Sequence, residues 1–250
     1  MSRPHASLID YYKGAAEKQT FLRRIFDDAA PHYELIARLG FFGSGQWYRR
    51  SALRRAGLAS GMRVLDVASG TGPTARAIRD IVGDEKLITC LEPSAGMIAE
   101  SRKTLACEHI QATAETIPVA DETYNFLTMG FALRHVDDLE RAFVEYHRVL
   151  KPGGKALLLE LTLPESAIAR FILKLYFKHT LPFVVRAGTG SNQAAQMMCY
   201  YWDTMETVVS PEIVMQALER AGFTRVERRV SIGLFSEYEA TRGGESLQLA

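Results

Sequence analysis

Runs of consecutive apolar residues alternate, along the middle of the chain, with stretches whose apolar residues recur every three or four positions. The first pattern predicts buried strands and the second predicts helices with one apolar face. Strands are predicted from Val64 onward, near residues 87–91, 109–112, 124–129 and 155–161, and as a final pair near 225–230 and 233–240. Such alternation predicts a parallel sheet covered by helices on both faces, and the closeness of the last two strands favours an antiparallel pair.

Two segments depart from this alternation. Residues from Gln19 to about Gly57 have a helical pattern, with a second helix beginning at Pro31, and residues 164–209 are helical and rich in aromatic residues and methionine. We therefore expect four units: an N-terminal helical lid over 1–57, a ligand-binding core over 58–163, a helical substrate cap over 164–209, and a C-terminal helix and strand pair over 210–250.

The first strand runs into a glycine turn. Gly70 and Gly72 lack the Cβ atoms that would keep a ligand from the backbone, and the helix after them directs free N–H groups at that ligand. Many such turns contain glycine only for steric reasons. Glu92, however, ends the second strand roughly 20 residues later, the spacing at which an acid binds ribose hydroxyls. Ala75 stands where a dinucleotide fingerprint has its third glycine, and Asp66 inside the strand suits a cationic ligand.

These residues resemble the class I S-adenosylmethionine (SAM)-dependent methyltransferases. Some positions resemble one group of these enzymes in particular, the C-methyltransferases of ubiquinone and menaquinone biosynthesis. They are Phe26, Asp27 and Tyr33, and the segments 111–118, 131–134 and 148–154. The resemblance extends from about residue 21 to 242. It implies a Rossmann-like α/β fold with a seven-stranded, mostly parallel sheet, helices on both faces, an antiparallel last strand, a helical N-terminal lid and a helical insertion after the fifth strand.

The resemblance also implies which residues bind SAM, the expected cofactor. The glycine loop would hold the amino-acid end of SAM and Glu92 its ribose. Met97 would pack on the adenine, although a methionine there also suits the core. Carried over position by position, the SAM-binding residues are Asp66, Ala68, Gly70, Thr71, Gly72, Glu92, Met97, Thr113, Ala114 and Gly130.

The sequence departs from this family mainly where the acceptor would bind. Tyr33 is followed by Glu34 where the family usually has Asp, His135 replaces the usual Asn after the Leu-Arg pair, and Thr113 replaces the usual Asp of the adenine loop. A threonine hydroxyl and the backbone still offer hydrogen bonds to adenine. The departures leave open whether the acceptor is a quinol.

Methyl transfer is an in-line displacement in which the protein aligns the acceptor atom and deprotonates it when it is a phenol or an enol. His135 and Tyr33 are the candidate catalytic residues, His135 because imidazole titrates in the useful range. Arg134 is another candidate: it either holds an oxyanion or pairs with Asp137 or Asp138. The sequence predicts methylation of a small apolar or aromatic acceptor, at carbon of a quinol-like ring or of a secondary metabolite. Alternatives are O- or N-methylation, methylation at carbon of a prenyl group, or a SAM fold with non-methylating chemistry.

The composition of the chain indicates which kinds of partner and which cellular compartment to expect. The protein has 250 residues and a formal net charge of +1, without the basic excess of a nucleic-acid-binding surface. Its three cysteines form no CxxC pair, so we expect no metal site and a reducing cytoplasmic compartment. Arg170, Lys174 and Lys178 lie beside an apolar stripe, which fits either peripheral contact with a membrane or a solvated helix face. The expected partner is a small molecule, and nothing in the sequence indicates the oligomeric state.

Overall fold

The computed structural model describes residues 11–35 and 45–243. Its seven strands form one sheet in the order β3-β2-β1-β4-β5-β7-β6. The sequence also predicts a helix end near Gly40 and a turn over residues 41–45; residues 40–44 lie outside the described residues, and Gly45 is already the first residue of a helix. The strands are β1 (Val64–Val67), β2 (Ile88–Leu91), β3 (Glu108–Ile110), β4 (Tyr124–Gly130), β5 (Leu150–Leu161), β6 (Phe223–Ser231) and β7 (Phe235–Arg242).

The predicted sheet topology is confirmed. Strands β1 to β5 pair in parallel, and β7 runs antiparallel to both β5 and β6. The order of the strands reverses at β1, which lies between β2 and β4 and is buried along its whole length. In open parallel sheets, ligands bind beside the carboxyl ends of the strands at such a reversal point. The fold therefore places the glycine turn after β1 where a ligand is expected.

Helices cover both faces of the sheet and form the two segments outside the alternation. Buried side chains from the two faces make separate apolar clusters, and a third cluster joins the N-terminal helix to the helices after β5. Within the described residues, no helix is both long and apolar enough to cross a bilayer. The helices are α1 (Ala15–Ala29), α2 (Gly45–Arg55), α3 (Pro73–Val82), α4 (Ala95–Ser101), α5 (Leu139–Val149), α6 (Ala167–Leu175), α7 (Leu181–Thr189), α8 (Asn192–Thr207) and α9 (Pro211–Arg220), and a π-helical turn, Tyr176–Thr180, joins α6 to α7.

Strand β5 begins earlier than the sequence predicts. The pattern placed a turn at the Lys-Pro-Gly-Gly segment and the strand from Lys155, but Leu150 already pairs with Tyr124. The register shifts before Phe126 pairs with Lys155, so the glycines form an irregularity inside the strand. Gly153 has φ +76°, a conformation that glycine adopts without strain. Asp138 caps α5, because its carboxylate accepts a hydrogen bond from the backbone N–H of Arg141.

The N-terminal helix is fastened to the core at both of its ends. The Asp27 carboxylate accepts hydrogen bonds from the Ser94 hydroxyl and from the Gly96 backbone N–H, which opens α4. At the other end, Lys18 forms an ion pair of 2.6 Å with Asp137. A Cβ atom at Gly96 would approach the Asp27 backbone to 3.0 Å, so the absence of a side chain there allows the two helices to lie close together. These contacts hold α1 across the carboxyl edge of the sheet.

Candidate functional site

A cleft opens at the carboxyl edge of β1, β2 and β4, beneath α1. Its volume, including the part open to solvent, is about 870 Å³. Helix α1 and the residue Tyr33 form one side, the ends of β1, β2 and β4 form the floor, and Tyr201 of α8 completes the wall. Among the residues that line the cleft are Gln19, Leu22, Arg23, Phe26, Tyr33, Ala68, Gly70, Glu92, Met97, Thr113, Ala114, Gly130, Phe131, His135 and Tyr201.

The two glycines of the first turn serve different purposes. Gly70 lines the cleft with φ +57°, and a Cβ atom built on it would meet no atom within 4 Å. Gly72, at φ +87°, lies behind the cleft, where a Cβ atom would come within 2.5 Å of Leu105 and 2.9 Å of the Ser101 hydroxyl. Gly70 thus leaves space for a ligand beside the backbone. The sequence-based explanation was wrong for Gly72, which packs against the segment after α4.

Glu92 lies at the end of β2 with its carboxylate in the floor of the cleft. Its two oxygens accept hydrogen bonds of 2.9 Å from the backbone N–H groups of Gly70 and Ser94. Burial raises the pKa of Glu92 to about 7, although both backbone hydrogen bonds favour the ionised form. Each carboxylate oxygen can accept more than one hydrogen bond. Glu92 can therefore bind hydroxyl groups and still accept its hydrogen bonds from Gly70 and Ser94.

Asp66 is buried in the middle of β1 and does not line the cleft. Its carboxylate oxygens make no hydrogen bond of normal geometry with the described residues. Burial raises the pKa of Asp66 well above its ordinary value, and the buried guanidinium of Arg49 on α2 opposes that shift. Burial lowers the pKa of Arg49 in turn. Sequence reasoning did not identify Arg49 as a charge that acts on Asp66.

Thr71 also lies outside the cleft, where its hydroxyl donates a hydrogen bond of 2.6 Å to the Glu34 carboxylate. Arg76 of α3 forms an ion pair of 2.5 Å with the same carboxylate oxygen. Glu34 follows the N-terminal helices, so it ties the lid to the glycine turn. The usual family residue at this position is the shorter Asp, and the longer side chain of Glu34 reaches both partners.

Comparison with known proteins identifies the family. Residues 13–240 match the model of the ubiE/COQ5 methyltransferase family. The chain belongs to this family. It is 33% identical over 229 residues to the ubiquinone/menaquinone biosynthesis C-methyltransferase UbiE of Syntrophotalea carbinolica, which covers 88% of this chain and 93% of that protein. It is 31% identical over 216 residues to the demethylmenaquinone methyltransferase of Chlorobaculum parvum, which covers 84% and 88%.

Solved structures agree on the fold of this ubiE/COQ5-family methyltransferase. A SAM-dependent methyltransferase of Thermotoga maritima superposes with a TM-score of 0.61 at 23% identity, covering 88% of this chain and 98% of that one. A phosphoethanolamine N-methyltransferase of Haemonchus contortus, solved with S-adenosylhomocysteine, superposes with a TM-score of 0.56 at 13% identity. The superposition covers 78% of this chain and 52% of that one. The protein is a SAM-dependent methyltransferase, as the sequence predicted.

The cleft of this family member fits SAM. Seven of the ten residues predicted to bind the cofactor line it: Ala68, Gly70, Glu92, Met97, Thr113, Ala114 and Gly130. Ala68, directly after β1, has φ +52°, in the left-handed region that residues other than glycine rarely adopt. SAM, when bound, supplies an electrophilic methyl group. Glu92 and Gly70 would hold its ribose and amino-acid parts, while Asp66, Thr71 and Gly72 support the turn from behind.

His135 lines the cleft from the short helical turn Leu133–His135 that follows β4. Its ring stacks on Tyr200 at 5.7 Å and meets the edge of Phe26 at 5.4 Å, measured between ring centroids. Both ring nitrogens are shielded from solvent. The imidazole is therefore packed between Phe26 and Tyr200 in the wall of the cleft and is not turned outward to solvent.

Arg134, the second catalytic candidate, does not line the cleft. It is buried, and its guanidinium forms an ion pair of 2.5 Å with Glu160 at the end of β5. The predicted pairing with Asp137 or Asp138 is wrong: Asp137 pairs with Lys18, and Asp138 caps α5. Burial disfavours the charge, but Glu160 holds the pKa of Arg134 above its ordinary value. Arg134 thus fixes the turn that carries His135.

Tyr33, the third candidate, lines the cleft, and its hydroxyl lies 2.8 Å from the hydroxyl of Tyr201. Burial raises the pKa of Tyr201 well above its ordinary value, so this hydroxyl stays protonated. Sequence reasoning did not assign Gln19, Leu22, Arg23 and Phe26 to the cleft. The sequence predicted a lid over 1–57 but not which of its side chains line the ligand site, and the packing of α1 shows that the face with Leu22 and Phe26 does so.

Proposed function

We propose that the protein transfers the methyl group of SAM to a ring carbon of a small, apolar, phenolic acceptor of the quinol type. The observation that carries this proposal is the aromatic wall of the cleft. Phe26, Tyr33, Phe131, His135 and Tyr201 all line the cleft. A flat ring packs favourably between aromatic side chains, and the two tyrosine hydroxyls offer hydrogen bonds to ring oxygens.

His135 is the proposed base in this reaction. A ring nitrogen of His135 takes the proton from a phenolic hydroxyl, and the resulting phenolate makes its ring carbon nucleophilic. Phe26 and Tyr200 hold the imidazole in place on two sides, and Arg134 fixes the backbone of its turn. Tyr33 orients the acceptor through its hydroxyl. Positioning of this kind accelerates a displacement because it removes the entropy of alignment from the barrier.

Incubation of the purified protein with SAM and a reduced demethylnaphthoquinone tests the proposal. The expected product carries one new methyl group bound to ring carbon, which NMR distinguishes from an O-methyl ether. A monophenol and a primary amine serve as alternative acceptors. Methyl transfer to oxygen or nitrogen in preference to carbon would contradict the proposal and favour the O- or N-methylation that the divergent lid left open.

We further propose that α6 rests on a membrane surface from which a lipid-soluble acceptor enters. Ile168, Phe171, Ile172 and Leu175 occupy one stripe of α6, and each is at least half exposed. Lys174 and Lys178, by contrast, form ion pairs with acids of α8. The outward face of α6 is therefore apolar, and insertion of this face between lipid headgroups would cover it.

Flotation with lipid vesicles tests this contact. Phe171→Ser should reduce the fraction of protein that floats, and Ile232→Ser is the matched control, because Ile232 is 81% exposed in the turn between β6 and β7. The same weak flotation in wild type and Phe171→Ser would contradict membrane contact through α6.

A further inference from the structure

Three side chains with metal-binding atoms meet beneath the glycine turn, on the face of the sheet opposite to the one that α5 covers. They are Cys90 of β2, Cys107 just before β3, and His109 of β3, and their ligand atoms all lie within 4.8 Å of one another. The sequence predicted no metal site because the cysteines form no CxxC pair. Parallel pairing of β2 with β3 brings the three residues together, with Cys90 and His109 as direct partners.

The orientation of His109 suits a ligand. Its Nδ1 lies 2.9 Å from the carbonyl oxygen of Cys107, so Nδ1 is the nitrogen that carries the proton. Nε2 then holds a lone pair, and at 2.9 Å it accepts a hydrogen bond from the Ser101 hydroxyl, which a cation would replace. Donation of the second ring N–H to a carbonyl group is the usual arrangement of a histidine that binds a metal.

The two sulfur atoms have the separation that one ion requires. They lie 3.5 Å apart. Two Zn–S bonds of 2.3 Å at a tetrahedral angle would place the sulfurs about 3.8 Å apart. Both cysteines are free thiols in the structure.

We propose that Cys90, Cys107 and His109 bind a Zn²⁺ ion with a structural role. The ion replaces the two thiol protons, which pass to the buffer, and two thiolates balance its charge. Strand β3 is the edge of the sheet and His109 is only half-buried, so an ion reaches the site from that side. The Ser101 hydroxyl, adjacent to the site, packs against Gly72, so the ion would support the glycine turn from below.

Titration of the reduced protein with Co²⁺, a spectroscopic substitute for Zn²⁺, tests the proposal. One equivalent should produce a near-ultraviolet thiolate-to-cobalt band, and addition of Zn²⁺ should abolish it. Zn²⁺ should also raise the Tm of the full-length protein. Cys107→Ser should lose the band. His109→Gln should weaken binding by at least about tenfold, since even loss of a residue that only supports a ligand costs about 10–100-fold.

Cys199→Ser is the matched control, because Cys199 lies on α8, outside this cluster, and this variant should bind Co²⁺ like the wild type. A reduced, folded wild-type protein without the cobalt band and without a Zn²⁺-dependent Tm would overturn the proposal. Co²⁺ binding that Cys199→Ser abolishes and Cys107→Ser retains would overturn it too. If Cys107→Ser fails to fold, His109→Gln decides the result.

Discussion

Arg134 and Glu160 form an ion pair in which both side chains are at most 4% exposed. The pair also fixes the backbone, because the Arg134 N–H donates to Glu160 and the guanidinium donates to the carbonyl oxygen of Phe131 and to Thr204 of α8. This network joins the turn after β4 to the end of β5 and to the helical cap. The orientation of His135 therefore depends on a charge pair that does not itself line the cleft.

Loss of one partner of this pair should be costly. A buried charge whose partner is removed typically destabilises a protein by about 3–5 kcal/mol, so Glu160→Gln should lower the free energy of unfolding in urea by that order. Arg220→Gln is the matched control: it breaks the exposed pair of Arg220 with Glu140, and exposed pairs contribute about 0–1 kcal/mol. Equal losses in the two variants would show that the buried pair has no special role.

Replacement of His135 should slow turnover without weakening cofactor binding. If His135 removes the acceptor proton, His135→Asn should lower kcat by about 10²–10⁴-fold, and the pH–rate profile should lose the limb near neutral pH. Affinity for S-adenosylhomocysteine should not change, because the residues predicted to bind it are Glu92 and Gly70 and not His135. His147→Asn is a suitable control, since His147 packs against Phe223 away from the cleft. Near-normal turnover with an unchanged profile would reject the base.

Replacing each glycine of the first turn by alanine should affect different properties: SAM binding at Gly70 and packing at Gly72. Gly70→Ala adds the strain of a left-handed residue, about 1–2 kcal/mol, and places a methyl group in the cleft, so affinity for SAM should fall more than stability. Gly72→Ala adds a clash with Leu105 and Ser101, which costs a further 1–3 kcal/mol or so. Calorimetry and urea unfolding measure the two quantities, and equal effects on both variants would contradict the division of roles.

The sequence predicted the sheet well because strand burial and helix periodicity are local signals. The glycine turn, Glu92 and the residues after β4 were located for the same reason: they follow strand ends, and the order of parallel strands fixes where those ends meet. Long-range pairing of charged side chains was not predictable. Nothing near Arg134 in the sequence indicates Glu160, which is 26 residues away.

The same limit explains the other differences. Asp27 reaches Gly96 across 69 residues and Glu34 reaches Thr71 across 37, and both contacts depend on how α1 lies over the core. Likewise, that Cys90 and Cys107 come together follows from strand pairing and not from spacing along the sequence. A pattern of residues predicts which elements form, whereas packing between elements decides which polar side chains meet.

Cofactor binding should depend on the protonation of Glu92. Burial raises the pKa of this carboxyl from 4.5 to about 7, whereas ribose hydroxyls donate best to the ionised form. SAM binding should therefore strengthen as the pH rises through about 7, and at about pH 6 it should release a proton. Calorimetry in two buffers with different heats of ionisation measures that release.

The same shift affects stability with a definite sign. Between pH 4.5 and about 7 the folded protein holds a proton that the unfolded protein has lost, so the contribution of Glu92 to stability is complete below pH 4.5 and disappears as the pH rises through about 7. Glu92→Gln cannot titrate, so it should remove both the proton release and this part of the pH dependence of urea unfolding.

Glu92→Ala should also weaken SAM binding by about 1–3 kcal/mol through lost hydrogen bonds. Wild-type binding that releases no proton at about pH 6, with an affinity equal to that at pH 8 or so, would mean that Glu92 is already ionised in the free protein or does not bind the ribose.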